Sequence, residues 1–215
     1  MFAKRICVVV ASSALFAGLG VTASAQTASR FDDGSFEYPR VTAGTFTEFS
    51  AGQAIGPWQV TAGTVDLVGA GYWQAAEGDQ SVDLNGTTPG TVAQTFTTVP
   101  GVSYTVTYAL AGNPGGGPTI RTGRALVDGQ DFQDFSFDIT GKSATNMGYV
   151  DRQFTFRATN ATTTIGFAST TPNTSYGPVL DDVHRTLHAL PDLHQRLTSR
   201  AIRGGRCRHA PPAPR

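Results

Sequence analysis

From Gly34 to Val183 the apolar residues recur at every second position, and no stretch of this region carries an apolar stripe at helical spacing. Tyr104, Val106, Tyr108 and Leu110 alternate with Ser103, Thr105, Thr107 and Ala109. Val92, Gln94 and Phe96 alternate with Ala93, Thr95 and Thr97, while Phe154 and Phe156 flank Thr155 and Ile165 and Phe167 flank Gly166. A chain written this way places one face of each strand on a core and the other in water, as antiparallel sheets do. Turn chemistry punctuates the runs at Asn85-Gly86, Pro89-Gly90, Pro100-Gly101, Asn113-Pro114-Gly115, Asp128-Gly129 and Thr140-Gly141. Short strands separated by such turns predict an all-β sandwich or jelly roll. Trp58, inside an apolar alternation, is expected in its core.

The two flanks are built differently. Lys4 and Arg5 precede an apolar run from Ile6 to Val21, and Ala23-Ser24-Ala25 forms an A-x-A site before Gln26. This order predicts a secretory signal peptide over 1–25, the run being short for a membrane span; an uncleaved anchor is the alternative. Residues 26–183 then form the domain, with 7 Lys/Arg against 15 Asp/Glu. Residues 184–215 carry seven Arg, all four His and a Pro-rich end against a single acid, Asp192. The alternation breaks at Val183. Either the reading frame shifts near that codon or the segment is a natural irregular basic tail.

Several classes of function are disfavoured. An acidic domain with scattered cations has no footprint for nucleic acid. After loss of the leader only Cys207 remains, so no intramolecular disulfide is available, and no CxxC or HExxH occurs. With every His in the tail and Lys142 the only lysine of the domain, a catalytic triad or a His-based metal centre has no residues to draw on. Gly141-Lys142-Ser143 lacks the glycine that a phosphate-binding loop needs at position 136, which is Ser. Glu77, Asp79 and Asp83 leave a carboxylate-pair glycosidase as the only enzymatic alternative, with plain surface charge against it.

A set of motifs runs through the domain in order: Asp33-Gly34-Ser35-Phe36-Glu37, Gly56-Pro57-Trp58-Gln59-Val60, Gly63-Thr64-Val65-Asp66-Leu67-Val68, Tyr72-Trp73-Gln74-Ala75-Ala76, Ser81-Val82-Asp83-Leu84-Asn85-Gly86, Leu110-Ala111-Gly112-Asn113-Pro114 and Val179-Leu180-Asp181-Asp182-Val183. Together they resemble the bacterial choice-of-anchor C proteins, related to the DUF642 cell-wall proteins of plants. The resemblance implies a galactose-binding-like jelly roll, secreted or at the cell surface, without catalytic activity. Its expected partner is an extracellular or cell-wall polysaccharide, and any membrane association would run through a sorting tail that is not visible here. A structural surface protein making protein contacts without sugar is the alternative.

Two site expectations follow. In jelly-roll carbohydrate modules a Gly-x-Phe-Glu segment lies beside a C-terminal Asp-Asp-Val strand and often shares a calcium ion with it. The resemblance therefore nominates Glu37 and Asp181 as ligands of a structural calcium, with solvated strand ends as the competing account. Tyr72, Trp73 and Gln74, flanked by Gly71 and the Ala-Ala-Glu-Gly loop, form a candidate sugar platform, and core or rim packing is the alternative for the two rings.

Overall fold

The computed structural model describes residues 28–188; the expected leader and the tail beyond His188 lie outside them. The strands are β1 (Ala28–Arg30), β2 (Phe46–Ser50), β3 (Ala54–Ile55), β4 (Trp58–Ala62), β5 (Thr64–Val68), β6 (Ser81–Asp83), β7 (Thr91–Thr97), β8 (Ser103–Gly112), β9 (Ile120–Val127), β10 (Gln130–Asp138), β11 (Val150–Arg157), β12 (Thr162–Ser169) and β13 (Pro178–His188). No helix occurs among the described residues. One sheet runs β11–β8–β13–β6–β5–β2, with β1 added beside β13; the other runs β10–β9–β12–β7–β4–β3. Neighbours pair antiparallel throughout. The all-β expectation holds, as a two-sheet sandwich.

The alternation read in the sequence is what closes the sandwich. Tyr104, Val106, Tyr108 and Leu110 of β8 are buried, as are Phe154 and Phe156 of β11 and Ile165 and Phe167 of β12. Trp58 is fully buried between Phe31 and Phe36, with ring centroids 5.5 and 5.1 Å away, and its indole N–H donates to the Asp33 carbonyl at 3.0 Å. Burying an indole without such an acceptor would leave a polar group stranded. Asp128 and Gly129 both take positive φ, +51° and +77°, between the paired Val127 and Gln130. That is the backbone a two-residue type I′ hairpin requires, and Asp-Gly supplies it.

β13 does not end at Val183, where the alternation breaks. Asp181 pairs with Ala109 and His184 with Thr107, so β13 carries one more residue than β8 across this interval. An extra residue reverses which side chains face the core, so a continuous strand reads in sequence as a broken one. Past the bulge Arg185 lies over the rings of Phe96 and Phe31, 4.5 and 5.3 Å from their centroids. The strand runs five residues beyond the expected domain boundary, and β1 pairs with that extension. Gly34 sits against the bulge: its carbonyl accepts from the Val183 amide at 2.9 Å, and a Cβ on Gly34 would lie 2.1 Å from the Val183 carbonyl oxygen.

Candidate ligand-binding pocket

On β5 and β6, Val65, Leu67 and Val82 point into the core, which turns Asp66, Val68, Ser81 and Asp83 to the opposite face of the sheet. Register then lines up residues from three strands. Phe46, Val68 and Ser81 form one row, and Glu48, Asp66 and Asp83 form the next. Three acids stand side by side across β2, β5 and β6. Like charges in directly opposed positions repel, so this row is unusual for a strand face.

Loops wall this face in. The 69–80 loop brings Tyr72 edge-on to Phe46 at 5.6 Å and to Trp73 at 5.4 Å. Trp73 also lines this space, but it is only 7% exposed and its indole N–H donates to Ser81 Oγ at 2.8 Å, so little of its ring is presented. From the other side the Asn113–Pro118 loop is held by Arg121, whose fully buried guanidinium donates to the carbonyls of Asn113, Gly115, Gly116 and Pro118. Tyr176 lies on this loop so closely that a Cβ at Gly115 would come 2.6 Å from its ring. The half-open cavity, about 200 Å³, is lined by Phe46, Tyr72 and Tyr176 as partly exposed rings, by the buried Trp73, and by Asp66, Asp83 and Asn113 as polar groups.

The two aspartates differ. Asp83 is fully buried and accepts hydrogen bonds from the amides of Asn85 and Gly177, at 2.9 and 3.0 Å, and from Asn113 Nδ2 at 2.7 Å. Burial outweighs those donors and pushes its pKa up to about 8. Asp66 is pushed up to about 7, first by burial and then by Glu48. Its Oδ1 is buried without a hydrogen-bond partner among the described residues. The site thus holds one carboxyl held by three N–H donors and one with a buried, unpartnered oxygen.

Comparison with known sequences places the chain. The family model described as "Protein of unknown function (DUF642)" matches residues 29–185. This chain belongs to the DUF642 family. A curated relative, halomucin of Haloquadratum walsbyi, is 28% identical over 184 residues; the match covers 82% of this chain and 2% of halomucin, so the chain spans a small part of that relative's length. Among solved structures, the Stig cyclase FisC from Fischerella sp. TAU aligns with a TM-score of 0.49 at 14% identity, covering 76% of this chain and 98% of its own. The CBM22-1 xylan-binding domain of Paenibacillus barcinonensis Xyn10C gives 0.45 at 14%, covering 76% and 97%. A family 35 carbohydrate-binding module from Clostridium thermocellum gives 0.40 at 15%, covering 67% and 92%.

Within the DUF642 domain the residues expected from sequence fall in different places. Tyr72, 41% exposed, lines the pocket and Trp73 supports it; Gln74 is exposed, its backbone amide bonded to the Ala144 carbonyl, and it does not line the cavity. The expected Gly34-to-Glu37 segment does lie beside Asp181–Val183. Both carboxyls there already accept amide hydrogen bonds, however. Glu37 Oε1 accepts from the amides of Asp79 and Gln80 at 2.7 and 2.9 Å. Asp181 Oδ2 accepts from Ala76 and Glu77 at 2.7 and 3.0 Å, and its Oδ1 from Asp182 at 2.7 Å. Amide protons thus occupy Glu37 Oε1 and both oxygens of Asp181, and an ion joining the two carboxyls would have to complete its shell with backbone carbonyls and water. Both carboxylates instead grip the 76–80 loop, where a Cβ on Gly78 would strike the Glu37 carboxylate at 2.4 Å.

Sequence reasoning missed Asp66, Phe46, Asn113 and Tyr176, and it weighed Asp83 only as one of a cluster with Glu77 and Asp79. The available signal was Asp66 itself, a charge inside the apolar run Val65 to Val68. A wider cleft of about 510 Å³ lies among β8, β9, β10 and β11, but its rings, Tyr108 and Phe135, are 2% and 7% exposed and offer a ligand little face.

Proposed function

We propose that this domain is a non-catalytic module of a secreted or surface protein that binds a saccharide unit of an extracellular polysaccharide in the Tyr72–Asp66–Tyr176 pocket. The observation that carries the proposal is the combination of three partly exposed rings around a polar floor. Sugar rings offer C–H faces to aromatic side chains and hydroxyls to fixed polar groups, which is the division of labour seen here. The cavity is below the roughly 300–1,000 Å³ of sites for drug-sized ligands, a scale for one ring rather than a buried chain. A binding role is favoured over hydrolysis by the state of Asp83. Glycosidases need two carboxyls free to act at the bond, and here three N–H donors occupy both oxygens of one of them.

Glycan-array screening followed by calorimetry tests the proposal. Tyr72→Ala should weaken binding about 2- to 10-fold, for roughly 0.5–1.5 kcal/mol of lost ring contact, with little change in melting. Trp73→Ala should cost about 3–5 kcal/mol of stability. A domain that binds no glycan would favour the alternative of a structural surface protein. Release of reducing sugar from a bound glycan would instead favour an enzyme.

A further inference from the structure

We propose that the wider cleft among β8, β9, β10 and β11 is a second binding site, which takes the oxyanion of an acidic sugar, a carboxylate or a sulfate ester, between Arg152 and the hydroxyl of Tyr108. This site stands apart from the Tyr72 pocket. At about 510 Å³ the cleft falls within the roughly 300–1,000 Å³ of small-ligand sites. Its rings present little face, so what it holds is held by polar groups.

Register puts Arg152 of β11 directly opposite Tyr108 of β8, which sets the two side chains beside each other on one face. That face is the inward one, shared with the buried Phe154 and Phe156 of β11. β11 is the edge strand of its sheet, so Arg152 comes out exposed, while Tyr108, one strand further in, is 2% exposed. The Tyr108 hydroxyl has no hydrogen-bond partner among the described residues; apart from burial, the charge of Arg152 is what acts on it. Burial pushes its pKa up to about 12 against that charge, so at neutral pH the group is a proton donor. Unlike Asp66 Oδ1, Asn85 Oδ1 and the Tyr149 hydroxyl, it is not sealed off from the cleft it lines.

The two guanidiniums of the lining differ in their engagement. Arg124 holds Asp134, the one acid of the lining, at 2.6 Å, and pairs with Asp131 beside it. Arg152 forms no ion pair among the described residues, and its Nη2 reaches only the Ser136 carbonyl on β10, at 3.5 Å. A contact that long is a weak bond. An oxyanion answers both vacant donors at once, accepting from the guanidinium fork and from the phenol, and such charge-assisted bonds are the strong ones. Gln133, also in the lining, adds amide groups for hydroxyls of the same sugar. An ammonium would face the charge of Arg152. A neutral hydroxyl would serve Tyr108 and leave that charge unanswered. Residues 26–183 carry 7 Lys/Arg against 15 Asp/Glu, so a densely charged polymer is repelled at a distance. An isolated acidic unit in an otherwise neutral glycan is the better match.

The experiment is calorimetry on the full chain near pH 7 with three probes: galactotriose, the same trisaccharide with one galacturonic acid unit, and the same with one 6-sulfate. One acidic form or both should bind about tenfold or more tighter than the neutral form, the scale of a charge-assisted hydrogen bond; the tighter of the two names the group. Arg152→Gln should erase the preference. Tyr108→Phe, which keeps the ring and removes the hydroxyl, should weaken the acidic probe about 2- to 10-fold without lowering Tm. Tyr72→Ala should leave the preference in place. No binding of either acidic form, equal affinity for all three probes, or a preference that survives Arg152→Gln would overturn the assignment. So would a Tm lowered by Tyr108→Phe, which would mean that the hydroxyl already serves the fold, or a preference lost with Tyr72→Ala, which would move the oxyanion to the other pocket.

Discussion

The carboxyl groups of this domain do opposite jobs according to what surrounds them. Asp66, Asp83 and Asp181 have pKa values raised from 3.8 to about 7, 8 and 7, with burial the first cause in each. Between the unfolded and folded values the folded state holds more protons than the unfolded one. Stability from these groups is therefore complete below about pH 4 and is lost as pH rises through 7 to 8. The lowered values of Glu48 and Asp138 work the other way, but both groups are solvent-exposed and act only at lower pH. Scanning calorimetry should give a higher Tm at pH 5 than at pH 8. Asp66→Asn should shrink that difference and raise stability at pH 8 by about 0.5–1 kcal/mol, the scale of one removed like-charge opposition. A Tm that climbs steadily from pH 5 to pH 8 would show that the row is not desolvated as described.

At the level of strands, what could be read in the chain was whatever is local. The alternation of β8, β11 and β12 and the Asp-Gly hairpin need only neighbouring residues, and all appear where expected. The end of β13 was illegible because a bulge flips the parity of everything after it. Asp66 and Asp83 escaped for a related reason: only the β2–β5–β6 register brings positions 48, 66 and 83 abreast, and no spacing in the chain announces it. Tyr176 and Asn113 arrive on loops whose course depends on the buried Arg121. The extension of β13 is itself testable. A chain ending at Val183 loses the pairing of His184 to His188 with β8, the β1 partner and the Arg185 stack on Phe96. Compared with a chain ending after His188, it should be less stable by at least about 2 kcal/mol in urea denaturation, counting the cation–π contact and the strand hydrogen bonds. Equal stability would mean that the last five residues of β13 are ornamental.

For the molecule as a whole, Glu37 and Asp181 tie the N-terminal segment, the 76–80 loop and the last strand together through direct carboxylate-to-amide contacts. Unfolding curves recorded with EDTA and with millimolar calcium should superimpose. A Tm that rises with calcium would restore the metal expectation and require these carboxylates to turn away from their amides. The same closure of beginning on end has a mechanical side. Ala28 of β1 lies opposite Thr186 of β13, and the two strands run antiparallel. Chain leading into the domain and chain leading out of it therefore meet at one corner of the sandwich. Tension applied through both ends would peel β1 from β13 one hydrogen bond at a time instead of shearing a whole ladder at once. Within a longer polypeptide such a unit hangs as a pendant on the line of force, its pocket strand rows untouched until that first short strand has given way.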